Sequence, residues 1–465
     1  MGRSSITRFM ILALSTCCIT AILSCMNTYN FTKICVNPWP DDNGNHTKMS
    51  SRFEKWQQSA LQSAVAVGAL CASIPYSLLF QRFTLRFVFL SAGILAMVST
   101  ALVPLANTLG FGFLIVARIG QGIGFSACFP LIGSVTSSWA RLSEHGIFIA
   151  FLTGCTQLAN IFTMPVAGSL CESSWGWPSV YYVHAAISCV LFALWTLLFR
   201  DSPAEHFLVG CQELALIGEG RTQPGKKHEP VPYSSILRSK CIWAIWIAAF
   251  SDLICVQLVS MYNPPYLNDY LNFSVMNSGI LAALPVIVQF ACKVIAGVAS
   301  DAIKVLSETT KVRIFNTITL AASGSFFIVL SFMPKESPVL CIVILTITIS
   351  LLGFNTAGFN KCATLHSRQH AHFTMAQIMN IWAVTILIEP FVVDAVLTDH
   401  ASVGQWRIVF IGHAVLLFIC TIFFLLWADA RPAEWTEDRE NLTRADCEEE
   451  KSNEEVGREM DEQLY

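Results

Sequence analysis

Twelve apolar runs, each about as long as a bilayer is thick, constrain this chain more than any other feature. A helix needs about 20 apolar residues to cross the hydrocarbon layer. Runs near that length lie at Phe9–Asn27, Trp56–Phe80, Phe87–Ala106, Phe111–Trp139, Gly146–Leu170 and Trp177–Phe199. Six more lie at Cys241–Tyr262, Val275–Ser300, Ile314–Met333, Val339–Cys362, Thr374–Leu397 and Ile408–Trp427. In lipid a spanning backbone must satisfy its own polar groups, so open runs of this kind have to be helices. Only 13% of the 465 residues are charged, about half the share of an ordinary soluble domain. A water-soluble core of this size would lack polar cover. The expected fold class is an all-α membrane protein of 12 transmembrane helices. The first run follows Arg3 and Arg8 in the manner of a signal peptide. It is longer than a usual signal core and its loss would leave an odd number of spans, so it reads as a retained first helix.

The polar stretch Arg200 to Lys240 divides the runs into two sets of six. The expected organisation is an N-terminal six-helix half over 1–199, a linker over 200–240, a C-terminal six-helix half over 241–429 and a tail over 430–465. Two related halves around a midplane site are the pattern of a secondary transporter. Sixteen Lys and Arg fall in loops on the side of the N-terminus and six on the other, which predicts cytosolic termini. From Glu437 onward there are 12 acidic and 4 basic residues, a composition expected to stay disordered. The first outer loop carries the sequons Asn30-Phe31-Thr32 and Asn45-His46-Thr47, so Asn30 and Asn45 are expected glycan acceptors. The 17 cysteines are scattered without metal spacing. Cys35 and Cys171 both fall in outer segments, where a disulfide between them is allowed. No cofactor or metal is expected, and the basic residues form no single patch for nucleic acid. With no phosphate loop or nucleophile constellation, no enzyme activity is expected.

Ionisable side chains at membrane depth cost about 2.5–3.5 kcal/mol on insertion scales, so each needs a reason. The candidates are Arg118, Asp252, Lys293, Lys361, Glu389 and Asp394. Asp252 lies about 18 Å into its span at 1.5 Å per residue, near the midplane. It reads either as a proton or cation site or as a buried partner of Lys293 or Arg118. Arg118 reads either as a cavity cation for an anionic solute or as a helix-packing guanidinium. Glu389 precedes Pro390, whose ring frees a backbone carbonyl, and is a candidate for ion coupling with Asp252 and Lys293. Lys361 is expected to snorkel to the inner face. His184 and His413 read as core histidines.

Ordered motifs run along nearly the whole chain. They include Ser99-Thr100, Pro104-Leu105-Ala106, Ala117-Arg118-Ile119-Gly120-Gln121-Gly122, Trp139, Glu144, Gly168, Gly176-Trp177, Asp201-Ser202-Pro203 and Leu281 to Pro285. Gly297 to Asp301, Gly358-Phe359-Asn360 and Trp406 to Phe410 follow. In these the chain resembles the anion:cation symporter family of the major facilitator superfamily, the branch of sodium/phosphate cotransporters, sialin and vesicular glutamate transporters. The resemblance implies a cavity lined by spans 1, 4, 7 and 10, with Arg118, Asp252, Tyr262 and Asn360 as solute-binding candidates. It also implies cytosolic gating residues, here Arg82 and Arg86 in the first half and Asp301 and Lys304 in the second. Three positions depart from the pattern: Phe125 where some members carry a glutamate, Gly133 where some carry a histidine, and Asp252 where the glutamate-carrying branch has an arginine. The expected function is secondary transport of a small polar, anionic solute coupled to protons or sodium, at the plasma membrane or an endolysosomal or vesicular membrane. The alternative is a non-transporting sensor or receptor on the same fold.

Overall fold

The computed structural model describes residues 6–35, 39–40, 46–47, 53–141, 144–218 and 232–436. Asn45, the acidic tail and the side chain of Asp301 lie outside the described residues. The first half comprises α1 (Thr7–Thr32), α2 (Lys55–Arg82), α3 (Leu85–Leu109) and α4 (Phe111–Ser126, carried on by Cys128–Trp139). It continues with α5 (His145–Thr153 and Cys155–Glu172, meeting at Gly154) and α6 (Pro178–Leu198). The second half holds α7 (Lys240–Pro265, ending in a π turn Tyr266–Tyr270) and α8 (Val275–Ala302). Next come α9 (Glu308–Thr317 and Ser323–Ser331 around a π turn Ile318–Ala322) and α10 (Pro338–Leu352, then Gly353–Thr356, then Phe359–Ser367). The last are α11 (Ala371–Val396) and α12 (Val403–Trp427). Among the described residues, 11 of these helices are individually long and apolar enough to span. α5 is the twelfth, its two pieces together reaching across. Outside the helices, a two-residue ladder pairs Trp39–Pro40 with His46–Thr47.

Small residues let the helices approach closely, the usual device where lipid offers no hydrophobic drive between them. A Cβ on Gly122 would lie 2.0 Å from the Val65 carbonyl oxygen, and one on Gly68 would lie 2.3 Å from that of Ile119. Glycine at these two positions therefore permits the α2–α4 contact. The seam between the halves at α5 and α8 is similar: a Cβ on Gly279 would meet the Met164 carbonyl oxygen at 2.4 Å.

The α1–α2 loop and the α5–α6 loop share one face, called here the first-loop face. The connector between the halves lies on the other, the linker face. On the first-loop face Cys35 and Cys171 form the allowed disulfide, joining the ends of α1 and α5 with Cα atoms 5.6 Å apart. The hydrogen bonds that seal one half against the other gather there. Ser59 Oγ donates to Asp394 Oδ2 (2.6 Å) and Ser63 Oγ to the Leu387 carbonyl (2.8 Å), both from α2 to α11. Lys55 Nζ donates to the Thr398 carbonyl. At α5–α8, Glu172 Oε1 accepts the Met276 N–H at the start of α8 (2.8 Å), where the helix dipole favours a carboxylate. Nearer mid-depth, Asn27 Nδ2 donates to Asn160 Oδ1 (2.8 Å), and Asn160 Nδ2 reaches Ser260 Oγ in the other half (3.3 Å).

The expected glycan acceptor Asn30 is corrected by this arrangement. α1 runs on to Thr32, and Asn30 is 3% exposed inside it, which leaves no room for a sugar.

On the linker face the connector is docked. Glu213 Oε1, in the short helix Cys211–Gly218, accepts the Arg8 N–H at the first turn of α1 (3.0 Å). The Arg8 guanidinium grips Glu144 with two bonds, Nε to Oε2 at 2.7 Å and Nη2 to Oε1 at 2.8 Å. The Arg8 hydrogen bond holds the Glu144 carboxyl below the usual carboxylate range.

Candidate functional site

Asp252 is 0% exposed in the middle of α7. Its Oδ2 accepts a hydrogen bond from Asn355 Nδ2 at 2.9 Å, while its Oδ1 has no hydrogen-bond partner. Lys293 of α8 is the neighbouring charge, shared with the Cys155 thiol at the break in α5. Local sequence explains the convergence. A Cβ on Gly353 would lie 2.5 Å from the Gln289 carbonyl oxygen and 3.1 Å from the Lys293 backbone nitrogen. Glycine there lets α10 press onto α8. The 3₁₀ turn Gly353–Thr356 that follows carries Asn355 to Asp252. A buried carboxylate oxygen without a partner is costly. Such a group marks a place for something that arrives: a proton, a cation or a polar solute.

A second buried acid lies in the same half. Glu389 is 0% exposed in α11; its Oε1 is 3.1 Å from His413 Nε2 of α12, and its Oε2 has no partner. His413 Nδ1 faces the Val409 carbonyl at 2.8 Å. That nitrogen therefore carries the proton, and a neutral ring leaves Nε2 as an acceptor. Nε2 and Oε1 at 3.1 Å then form a pair that one proton can bridge.

Arg118 is 1% exposed and committed to its own half. Its Nε donates to the Leu61 carbonyl (3.1 Å), and its Nη1 to the Met26 carbonyl (2.9 Å) and Gln121 Oε1 (2.6 Å). Its guanidinium carbon lies 4.8 Å from the Tyr29 ring centroid. Gln121 in turn donates to the Cys25 carbonyl (3.0 Å) and Thr100 Oγ1 (2.8 Å). The guanidinium therefore packs α1, α2 and α4 together in this conformation. None of the ion pairs among the described residues involves it.

Residues 6–390 match the family model of the Major Facilitator Superfamily. The chain belongs to this superfamily. Its relatives are those of the branch it resembles by motif. It is 27% identical to human (Homo sapiens) sialin over 341 residues, covering 73% of this chain and 68% of that protein. It is 26% identical to vesicular glutamate transporter 3 of Danio rerio, covering 82% and 65%. It is 23% identical to sodium-dependent phosphate transport protein 1 of Mus musculus, covering 82% of each. These relatives are transporters, not enzymes. In fold it is similar to a bacterial homolog of the human lysosomal transporter Spinster, in an inward-facing and occupied conformation. The TM-score is 0.67 at 14% identity, with 91% of this chain and 97% of that one covered. A D-xylose–proton symporter gives a TM-score of 0.68 at 11% identity, covering 91% and 98%. The chain is a multi-pass membrane transporter of the major facilitator fold.

The other candidate residues of this major facilitator protein are not gathered at Asp252. Tyr262 lies ten residues further along α7, about 15 Å at helical rise. There its hydroxyl donates to Asp394 Oδ1 (2.7 Å), and Lys33 Nζ sits 4.5 Å from its ring centroid. It belongs to the sealed face. Asn360 is half-buried at the start of the segment beyond the α10 break. Phe125, at the glutamate position, meets Trp382 of α11 edge-on at 5.2 Å between centroids, an apolar contact across the halves.

The gating residues divide. Arg86 joins α3 to the end of α6, its N–H donating to Asp201 Oδ1 (2.9 Å) and its guanidinium to the Thr196 carbonyl. Arg82 and Lys304 are exposed. The charges that meet at the end of α8 are others. Lys311 Nζ donates to the Ser300 (3.2 Å) and Ile303 (3.0 Å) carbonyls, two of the orphan acceptors of a helix C-terminus. Lys361 Nζ reaches Ser300 Oγ (2.9 Å) and Glu308 Oε2 (3.3 Å). Sequence reasoning did not single out Lys311, Glu308 or Asn355. The only sequence signal for Asn355 was the pair of glycines, Gly353 and Gly358, around it.

Proposed function

We propose that this protein moves a small polar, anionic solute by alternating access, coupled to protons or sodium through Asp252. The observation that carries the reading is the unpartnered Asp252 Oδ1, buried beside Lys293 and Asn355 near the midplane. Glu389 with His413 is a second station for a proton in the same half. The anionic character rests on two supports. Arg118 is a buried cation held by neutral carbonyls rather than by a carboxylate, so its half carries uncompensated positive charge at depth. The relatives include glutamate and phosphate transporters by name. The solute is then attracted by Arg118 without displacing its backbone bonds, and Lys293, Tyr262 and Asn360 line its way.

The motion is a rocking of Phe9–Phe199 against Cys241–Trp427, with 200–240 as connector and the tail outside both. The basic loops orient both termini to the cytosol, and the conformation sealed on the first-loop face is then the inward-facing one. The membrane is the plasma membrane or a vesicular one, and Asn45 is the remaining glycan acceptor. Purified protein in proteoliposomes, given imposed proton and sodium gradients and a panel of small anions, tests the reading. Uptake by Asp252→Asn is expected to lose its gradient dependence while solute exchange persists. Unchanged pH and sodium dependence in that variant removes Asp252 from coupling, and unchanged uptake of every anion by Arg118→Ala removes the anion assignment.

A further inference from the structure

A pair of thiols lies beneath the segment that follows α12. Cys241 opens α7 and Cys362 lies in the last segment of α10. Both sulfurs approach one acceptor, the Asp429 carbonyl, at 3.3 Å and 3.7 Å. The Asp429 N–H comes back to Cys241 Sγ at 3.4 Å. The two thiols therefore converge on one oxygen, and the His366 ring meets Ser239, two residues before Cys241. The two cysteines are 6% and 0% exposed.

The cover over them is a strap, residues 428–436, that folds back onto the linker face. Arg313 donates from Nε (3.1 Å) and Nη2 (2.7 Å) to the Ala428 carbonyl, and Thr309 Oγ1 donates to Asp429 Oδ1 (3.0 Å). Ala433 N–H donates to the His366 carbonyl (3.0 Å). Trp435 packs against His366 and His370, with centroids 6.1 Å and 5.7 Å apart.

Among the described residues no three His, Cys, Asp or Glu side chains are grouped to hold an ion. Two thiols that share one acceptor can instead be oxidised to a disulfide. Their sulfurs lie 3.3 Å and 3.7 Å from the same oxygen, and a disulfide needs them to close to about 2 Å. A base is also in place. His366 Nδ1 lies 2.8 Å from the Arg431 carbonyl, so that nitrogen bears the hydrogen. Nε2 then presents its lone pair toward Ser239 Oγ, at 3.3 Å.

We infer that Cys241 and Cys362 are a redox-responsive dithiol whose closure staples α7 to α10. The oxidant is a small-molecule disulfide of the glutathione class. His366 Nε2 takes the proton of Cys241, and the thiolate attacks one sulfur of the oxidant, expelling one thiol. Cys362, losing its proton, attacks the Cys241 sulfur of the mixed disulfide and expels the second thiol. Two protein thiols are oxidised, one disulfide is reduced to two thiols, and a Cys241–Cys362 bond remains. Closure removes both S–H donors from the Asp429 carbonyl and so loosens the strap.

The consequence for transport rests on the function proposed above. α7 and α10 are the helices that carry Asp252 and its partner Asn355. Between Asn355 and Cys362 lies the break at Thr356–Gly358, where α10 can bend. The staple fixes the segment beyond the break to the start of α7 and holds the Asp252 site in one geometry.

Full-length protein in proteoliposomes is treated with oxidised glutathione; remaining thiols are then alkylated and peptides mapped by mass. A Cys241–Cys362 cross-linked peptide, lost on reduction and absent from Cys241→Ser and Cys362→Ser, is expected. Trp435→Ala, which opens the strap, accelerates its formation. Recovery of both cysteines as separately alkylated or separately glutathionylated peptides overturns the dithiol. On the same vesicles the linked protein is expected to transport about fivefold more slowly and to recover with reductant. A link that forms without changing the rate overturns the control over Asp252. The cross-link is read by mass whether or not a solute is found, so failure of the transport reading is seen separately.

Discussion

The seal on the first-loop face can be weakened one hydrogen bond at a time, because one carboxylate makes two bonds of different consequence. Asp394 Oδ2 accepts Ser59 Oγ from the opposite half at 2.6 Å. Asp394 Oδ1 accepts Tyr262 OH from its own half at 2.7 Å. The two bonds are of the same kind and length, but only the first is lost when the halves part. Interhelical hydrogen bonds in membranes average about 0.6 kcal/mol and reach about 1.7. Ser59 is buried and its acceptor is a carboxylate, so the upper part of that range applies, about 1.4 kcal/mol. That is tenfold in an equilibrium constant. Ser59→Ala should therefore raise the population open on the first-loop face about tenfold. Tyr262→Phe weakens both states alike and should leave the ratio within about twofold. Distances between probes at the first-loop ends of α2 and α11 report the two populations, by electron spin resonance or single-molecule fluorescence. The probes enter through non-natural side chains, since cysteines occur throughout the chain. Equal opening by the two variants, or opening by Tyr262→Phe alone, would refute the assignment of the Ser59 bond as the latch.

Other expectations follow from the same geometry. Gly122→Ala puts a methyl group 2.0 Å from the Val65 carbonyl oxygen and should cost about 1–3 kcal/mol as overpacking. Gly412→Ala, with nothing within 4 Å, should leave the thermal unfolding midpoint unchanged in detergent. Arg118→Leu removes three donated bonds and should destabilise by about 2 kcal/mol at the membrane average per bond. Arg118→Lys should recover only part of this, because a point charge cannot reproduce the fork. The Arg431 guanidinium holds the Asp429 carboxyl down to about 2. A depressed carboxyl stabilises the folded strap above its ordinary value near 4, and that contribution is lost as pH falls toward about 2. Trp435 fluorescence should report strap release in that window, and Asp429→Asn should abolish the pH dependence.

The spans were legible because lipid imposes a length and an apolarity that composition alone reveals. Side-chain partnerships were not. Asn30 was read as loop because the apolar run stops at Asn27. The helix continues because its polar residues find partners inside the bundle, Asn27 with Asn160 and Thr32 with Tyr181. Arg118 was visible as a charge at depth. That its acceptors are carbonyls of α1 and α2 requires the assembled half. Asp252 reads from sequence as a proton or cation site or as a buried partner of Lys293 or Arg118; its hydrogen-bond donor Asn355 is hidden in the broken turn of α10. His413 looked like a lone core histidine. Its partner Glu389 is 24 residues away on the adjoining helix, a distance no local pattern encodes.

The anchoring of Arg118 bears on what membrane voltage can do. A unit charge crossing the whole field exchanges about 2.3 kcal/mol per 100 mV. A guanidinium fastened to the Leu61 and Met26 carbonyls travels only as far as its own half tilts, and so sweeps a small part of that field. Electrical work is then done on whatever enters and leaves, and the current recorded per solute gives the net charge of the passengers rather than of the carrier.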